Sequence, residues 1–357
     1  MVPNRCCGAF DDQVSPDHGI KPSTSSRALL RHRVSHVLIG ELCALCEAVR
    51  HLAAAALPFC RMKVPLELPP TDLGTSAWHG TFADALDFSQ SLQDKLSHDE
   101  FRVYRASRFG RYRAVLQRLR ERSTHLSMFE GGRFDRLLLQ AMAEFTQLDI
   151  ILRHLGPLPA WRSRIQEVFS GRELPEDDSK PHPRNLQFEL LTAAFFRASG
   201  VPIQQAEPDV IISLDGWRLG VAAKRVSSRR ALIDRVHEGS RQLERARLPG
   251  FVAVEVSRIC NPRNALIAAP NDEAVVSEGS QLVEALLDEQ EEALAKAVNR
   301  EHVCGIICFS AIKGVNTSIP AGLVAMHRGS LLLMKPSSAR FKPLFRLLQQ
   351  LARSGLR

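Results

Sequence analysis

The chain has 357 residues, a formal net charge of +8 and a pI near 9.3, with arginine supplying most of the basic residues. Apolar residues make up 45% and charged residues 24%, which excludes a disordered or low-complexity protein and allows roughly two or three domains with real cores. The positive balance favours polyanionic partners, nucleic acid first among them.

Residues 1–61 pair adjacent Cys6 and Cys7 with a Ser/Thr/Pro stretch through Lys21–Ser26 and an alanine-rich helical run. They are expected to be a poorly ordered or non-native extension, with the functional chain beginning near Met62 in "MKVPLELPP". Within them, Val37–Phe59 is the longest apolar stretch, but Glu41, Glu47, Arg50 and His51 interrupt it, so it is not expected to span a membrane. His32, His36, Cys43 and Cys46 have spacing that admits zinc, yet they lie in an apolar helical run without a loop and fit small buried residues better. The eight cysteines form no dense framework and the opening residues do not resemble a signal peptide, so a reducing cytoplasm is the expected location.

Residues 62–170 are expected to form a helical domain. Helices are predicted over Ala83–Leu96, Phe101–Arg122, Phe134–Leu155 and Ala160–Phe169, where apolar residues recur at helical spacing. The second has eight arginines and one acid, interleaved with Tyr104 and Tyr112, the two tyrosines of the chain. That pattern suits either phosphate binding with base stacking or an apolar core stripe beneath an arginine-rich solvent face. The polar, proline-rich "GRELPEDDSKPHP" at Gly171–Pro183 is predicted to be a linker.

From residue 184 the pattern becomes α/β. A helix over Leu186–Ala198 precedes two strands, Val210–Leu214 and Trp217–Ala223, joined by the hairpin turn Asp215-Gly216. Ser228 can cap a helix reaching about Ala246. Further elements are a strand at Phe251–Ser257, a helix at Gln281–Asn299, a strand at Val303–Ser310, one or two strands over Gly322–Met326 and Leu331–Met334, and a basic helix from Lys342. The alternation implies parallel crossovers and therefore a mixed sheet flanked by helices. Cys304 and Cys308 fit packing positions on their strand.

A two-residue turn fixes the hairpin register, pairing Leu214 with Trp217 and setting Asp209 opposite Ala222. Side chains alternate, so Asp209, Ala222 and Lys224 share one face. Diagonal neighbours about 7–8 Å apart lie within reach of a lysine. An acid and an amine thus converge at one end of an apolar sheet, as a reactive pair or as a rim salt bridge.

A helix carrying Glu189, then Pro208-Asp209, a hairpin, a strand ending in Lys224, a helix carrying Gln242 and a further strand together resemble the restriction-endonuclease-like PD-(D/E)XK nuclease superfamily. The likeness covers about residues 185 to 260 in order and spacing, and extends to about 335 by topology. It implies a restriction-endonuclease-like fold preceded by an all-α domain, with magnesium as cofactor. It also implies Asp209 as a metal ligand, Lys224 as the lysine that orients the attacking water, Glu189 as an auxiliary acid and Gln242 as the glutamine of the following helix. The chain departs from the pattern at Ala222, where the motif's second acid should stand. Glu238, on the next predicted helix, is a candidate replacement. Helical arithmetic puts Gln242 roughly 80° and Glu238 roughly 120° from the centre of the buried stripe set by Leu232, Val236, Leu243 and Ala246. Glu238 is therefore either a relocated ligand or a solvated carboxylate, and Glu189 either a site acid or a surface residue.

The expected function is Mg²⁺-dependent hydrolysis of DNA or RNA phosphodiesters, with Arg225, Arg229 and Arg230 binding the substrate backbone. The alternative is a catalytically inactive relative that binds nucleic acid or a protein partner, which Ala222 favours.

Overall fold

Runs rich in Val, Ile and Phe form the strands, as suits a pleated surface covered on both sides. The computed structural model describes residues 62–67, 77–80, 82–99, 101–122, 133–179, 181–214, 216–263, 265–318 and 322–333. The expectations for residues 1–61, for the His32/His36/Cys43/Cys46 group and for a basic helix from Lys342 lie outside these residues.

The strands are β1 (Met62–Glu67), β2 (Ala77–Gly80), β3 (Ile203–Ala206), β4 (Asp209–Leu214), β5 (Trp217–Arg225), β6 (Gly250–Glu255), β7 (Ile267–Ala269), β8 (Val303–Asn316) and β9 (Gly322–Leu333). The helices are α1 (Phe82–His98), α2 (Arg108–Arg122), α3 (Arg133–His154), α4 (Pro159–Val168), α5 (His182–Ala198), α6 (Arg229–Ala246), α7 (Ser257–Cys260) and α8 (Asp272–Ala297). One sheet runs β1–β9–β8–β6–β5–β4–β3, with β2 also pairing β9 and β7 also pairing β8. β5, β6 and β8 are parallel, while β3–β4, β4–β5 and β8–β9 are antiparallel, so the sheet is mixed and the class is α/β.

Helices cover both faces. On one, Leu232, Val236 and Leu243 of α6 and Val283, Leu286 and Leu294 of α8 pack on Ala222, Val252, Val254, Ile306 and Cys308. On the other, Phe188 and Phe195 of α5 each meet the Phe309 ring at 5.6 Å. Strand alternation sends Cys308 and its neighbour Phe309 to opposite layers. The Ser228 side chain accepts from the Ala231 N–H and starts α6 as expected. Asn271 does the same for α8 through the Ala274 N–H, which begins that helix well before the predicted Gln281.

Two expectations need correction. The predicted Phe101–Arg122 helix begins only at Arg108. Ser107 Oγ accepts from the Gly110 N–H as a local cap, and the segment before it is held by Gln166, whose side chain pairs with both backbone groups of Arg102. Of the one or two strands expected over Gly322–Met326 and Leu331–Met334, one forms, β9, paired along its length with β8. The predicted division into a helical domain over 62–170, a linker over 171–183 and an α/β domain from 184 is not what forms. β1 and β2 belong to the common sheet, and the described residues fall within a single compact unit. The supposed linker is pinned by Arg184 of α5, which donates to the Arg172 and Glu173 carbonyls and pairs with Asp178.

Charge joins the helical layer. Glu144 of α3 accepts from Arg184 Nε at 2.9 Å and lies 3.1 Å from Arg108 Nε of α2, without hydrogen-bond alignment in the second contact. Arg108, fully buried, also donates to the Val168 carbonyl and to Gln187. Burial alone would raise the Glu144 pKa, but the two guanidiniums overcome it and hold the carboxyl at about 2. Glu144→Gln leaves two buried guanidiniums without their carboxylate and is expected to cost about 3–5 kcal/mol in urea denaturation at pH 7. A loss below about 1 kcal/mol, the level of an exposed pair, would contradict this role for Glu144.

Candidate functional site

The hairpin register is the one the turn dictates, Leu214 opposite Trp217 and Val210 opposite Val221, which carries Asp209 to the level of Ala222. At Asp209 the carboxylate takes over from the ending ladder: Oδ2 accepts the Ala223 N–H at 2.8 Å and Lys224 Nζ at 3.3 Å. Burial pushes the Asp209 pKa up to about 6. Lys224 opposes that shift and the Glu189 charge adds to it.

Glu238 reaches the same lysine. Its Oε1 lies 4.0 Å from Lys224 Nζ, while Oε2 accepts from Arg235 at 2.6 Å. The side chain is 43% exposed, as its angle from the buried stripe implied, so it covers the pair from the solvent side. Gln242 donates to the Pro208 carbonyl at 3.3 Å, and its Oε1 is buried without a hydrogen-bond partner. Glu189 lies close enough to raise the Asp209 pKa, but its carboxylate is bonded to Arg164 of α4. The structure therefore gathers Asp209, Lys224, Glu238 and Gln242, and holds Glu189 beside them in a separate ion pair.

Ala222 has a physical explanation. A Cβ built on Gly239 of α6 would sit 2.7 Å from a Val252 methyl and 3.3 Å from the Ala222 Cβ. The helix thus lies directly on the sheet over Ala222, which is fully buried. A carboxylate at 222 has no room there. The same close approach carries Glu238, the residue before Gly239, to the rim beside Lys224.

The arginines expected to bind a substrate backbone are placed differently from one another. Arg225 points to the opposite sheet face from Lys224 and pairs with Glu255 at 3.1 Å. Arg229 pairs with Glu289 of α8 at 2.7 Å, and Arg230 is exposed. On α2 and the segment before it, Tyr112 is core and donates to the Glu173 carbonyl, while Tyr104 is exposed. Cys304 and Cys308 are buried packing residues. Sequence reading passed over Lys313, a lysine inside the largely apolar strand β8. It is buried, and burial lowers its pKa to about 8. A charge interrupting an apolar strand was the available signal.

Among the described residues no three His, Cys, Asp or Glu side chains form a metal-binding group, and no helix is long and apolar enough to cross a membrane. No protein-family model matches the chain, and no curated protein or solved structure matches it significantly.

Two outcomes follow from this geometry. Ala222→Glu is expected to lose cooperative folding, or at least about 3 kcal/mol of stability, because it forces bulk and charge beneath α6. A stable Ala222→Glu protein would contradict the close-packing explanation. The Asp209 pKa in the folded state lies above its ordinary 3.8, so the carboxyl's contribution to stability is fully present below about pH 3.8 and is lost as pH rises through about 6. Asp209→Asn is therefore expected to have a higher denaturation midpoint than the wild type at pH 7.5, with the gap closing by about pH 4. A variant less stable than the wild type at pH 7.5 would contradict this.

Proposed function

We propose that the chain is a metal-dependent phosphodiester hydrolase with a restriction-endonuclease-like fold, acting on DNA or RNA. One observation carries the reading: the Lys224 ammonium is shared between the Asp209 and Glu238 carboxylates at the open end of a β-hairpin. The order helix, hairpin, crossover helix and parallel strand supports the PD-(D/E)XK likeness, as does the position of Asp209 and Lys224 on one sheet face. The net charge of +8 suits a nucleic-acid partner.

The oxygen donors fit Mg²⁺, which takes one or two carboxylates and completes its shell with waters and substrate phosphate. Asp209 and Glu238 would supply the carboxylates, and the unpartnered Gln242 Oε1 marks an acceptor already buried beside them. Glu189 would join only by giving up Arg164. A bound Mg²⁺ would neutralise phosphoryl charge and lower the pKa of a coordinated water. Lys224 Nζ would donate to the attacking water or to a non-bridging phosphoryl oxygen, stabilising charge that grows in the transition state. Asp209, with its carboxyl proton held up to about pH 6, would bind a cation only above that range, so activity should rise between pH 5 and pH 7.

A second reading, nucleic-acid binding without cleavage, is favoured by Ala222 and by the engagement of Glu238 with Arg235. Incubating plasmid, single-stranded DNA and RNA with protein and Mg²⁺ or Mn²⁺ separates the two. We expect cleavage by the wild type, none by Asp209→Ala or Lys224→Ala, and about a hundredfold loss in Glu238→Gln. An inert wild type that still retards nucleic acid would leave the binding role.

A further inference from the structure

The segment leading into α2, residues 101–107, carries the most exposed large apolar side chain among the described residues. Tyr104 is 63% exposed, whereas Tyr112, the other tyrosine of the chain, is core. A single ring in water signifies little by itself. What distinguishes this one is how firmly the backbone beneath it is held and which side chains stand beside it.

Both ends of the segment are fixed in the core. Phe101 packs edge-on against Phe169 at 6.1 Å, and Arg108 is fully buried. Between them, the Gln166 side chain of α4 bonds both backbone groups of Arg102. The Tyr104 carbonyl accepts from the Ser107 N–H at 2.9 Å and from its hydroxyl at 2.6 Å, and the Ala106 carbonyl accepts from Arg111. A Cβ on Gly110 would lie 2.2 Å from the Tyr104 carbonyl oxygen, so the first turn of α2 rests directly on this backbone. The main chain is thus pinned while the side chains of Arg102, Tyr104 and Arg105 stand in solvent. Neither of these two arginine side chains has an ion-pair or hydrogen-bond partner among the described residues.

We propose that this segment binds single-stranded nucleic acid, with an unpaired base stacked on Tyr104 and the neighbouring phosphates held by Arg102 and Arg105. Aromatic rings stack on any base because every base has a π-face. Guanidinium forks match phosphate oxygens in a bidentate manner. A pinned backbone has little conformational freedom left to lose on binding. A duplex keeps its bases paired and stacked on one another, so a strand with free bases is the better partner. The overall charge of +8 and the two uncompensated arginines favour a polyanion over a protein surface. α4 ties the segment to the Asp209 site: Gln166 holds Arg102, and Arg164, two residues earlier, bonds Glu189. The proposal takes its partner class from the nucleic-acid reading of that site but does not require cleavage there.

Fluorescence anisotropy of labelled oligodeoxythymidine and oligouridine with the full chain, in EDTA so that no cleavage intervenes, is the test. Binding is expected, weakened about tenfold in Tyr104→Ala and restored in Tyr104→Trp, which returns a stacking ring. Binding of duplex DNA should be the same in Tyr104→Ala as in the wild type. Arg102→Ala/Arg105→Ala should flatten the log–log salt dependence by about 1.4, two phosphate contacts at roughly 0.7 each. The tighter of the two oligonucleotides names the sugar, and equal affinity means that bases and phosphates alone are read. A thermal midpoint of Tyr104→Ala equal to that of the wild type establishes that the fold is intact. No binding of either oligonucleotide, equal loss on the duplex, or an unchanged salt slope would each overturn the proposal. Wild-type affinity in Tyr104→Ala would overturn it too, and would leave the segment to a protein partner. Because the titration reads binding without metal, an inert cleavage assay leaves this inference standing, and its failure leaves the Asp209 assay unaffected.

Discussion

The distance between α6 and the sheet governs the rest of the arrangement. Gly239 lets the helix backbone settle against Val252 and Ala222 where any side chain would collide. That contact forbids an acid at position 222 and closes the apolar layer between β5, β6, α6 and α8. It also sets the neighbouring Glu238 on the rim, 4.0 Å from the Lys224 ammonium. The missing acid and the extra acid are therefore two consequences of one packing decision. Had α6 stood further off, Ala222 would face a gap and Glu238 would have only solvent and Arg235 as partners.

β5 divides two chemistries by strand alternation. Lys224 turns toward α6 and meets Asp209 and Glu238, while Arg225 turns toward α3 and α5 and meets Glu255. The first is shared by two carboxylates and the second is paired with one. Both sit at the carboxyl end of the same parallel strands, where backbone pairing ends and side chains take over as partners. Asp209 illustrates the handover, accepting the Ala223 N–H that the ladder no longer serves.

The helical layer is part of the same construction. Glu144 receives Arg108 and Arg184 from two other helices, and Arg184 pins the Arg172–Asp178 segment against them. A buried carboxylate held at a pKa of about 2 is stable there only because both guanidiniums are present. This network positions α3, whose Gln140 and Glu144 line a cleft with Arg225 and Lys313.

Local patterns were legible in the residues. Alternation and the two-residue turn set the hairpin register and the shared face of Asp209 and Lys224, the Ser228 cap began α6, and helical spacing placed Gln242 at the edge of the packed stripe with Glu238 further out. These features depend on neighbours within a few residues, where backbone geometry admits few choices. Tertiary structure alone decided that β1 and β2 join the sheet through β9, that Gly171–Pro183 is anchored rather than a linker, that Glu189 belongs to Arg164, and that Lys313 lines a cleft with α3. Each of those outcomes rests on a partner far away in the chain, and a partner's identity is not encoded in the residues beside it. An ion pair or an edge-strand pairing forms with whichever group the packed helices bring near, and that is settled only when the layers close.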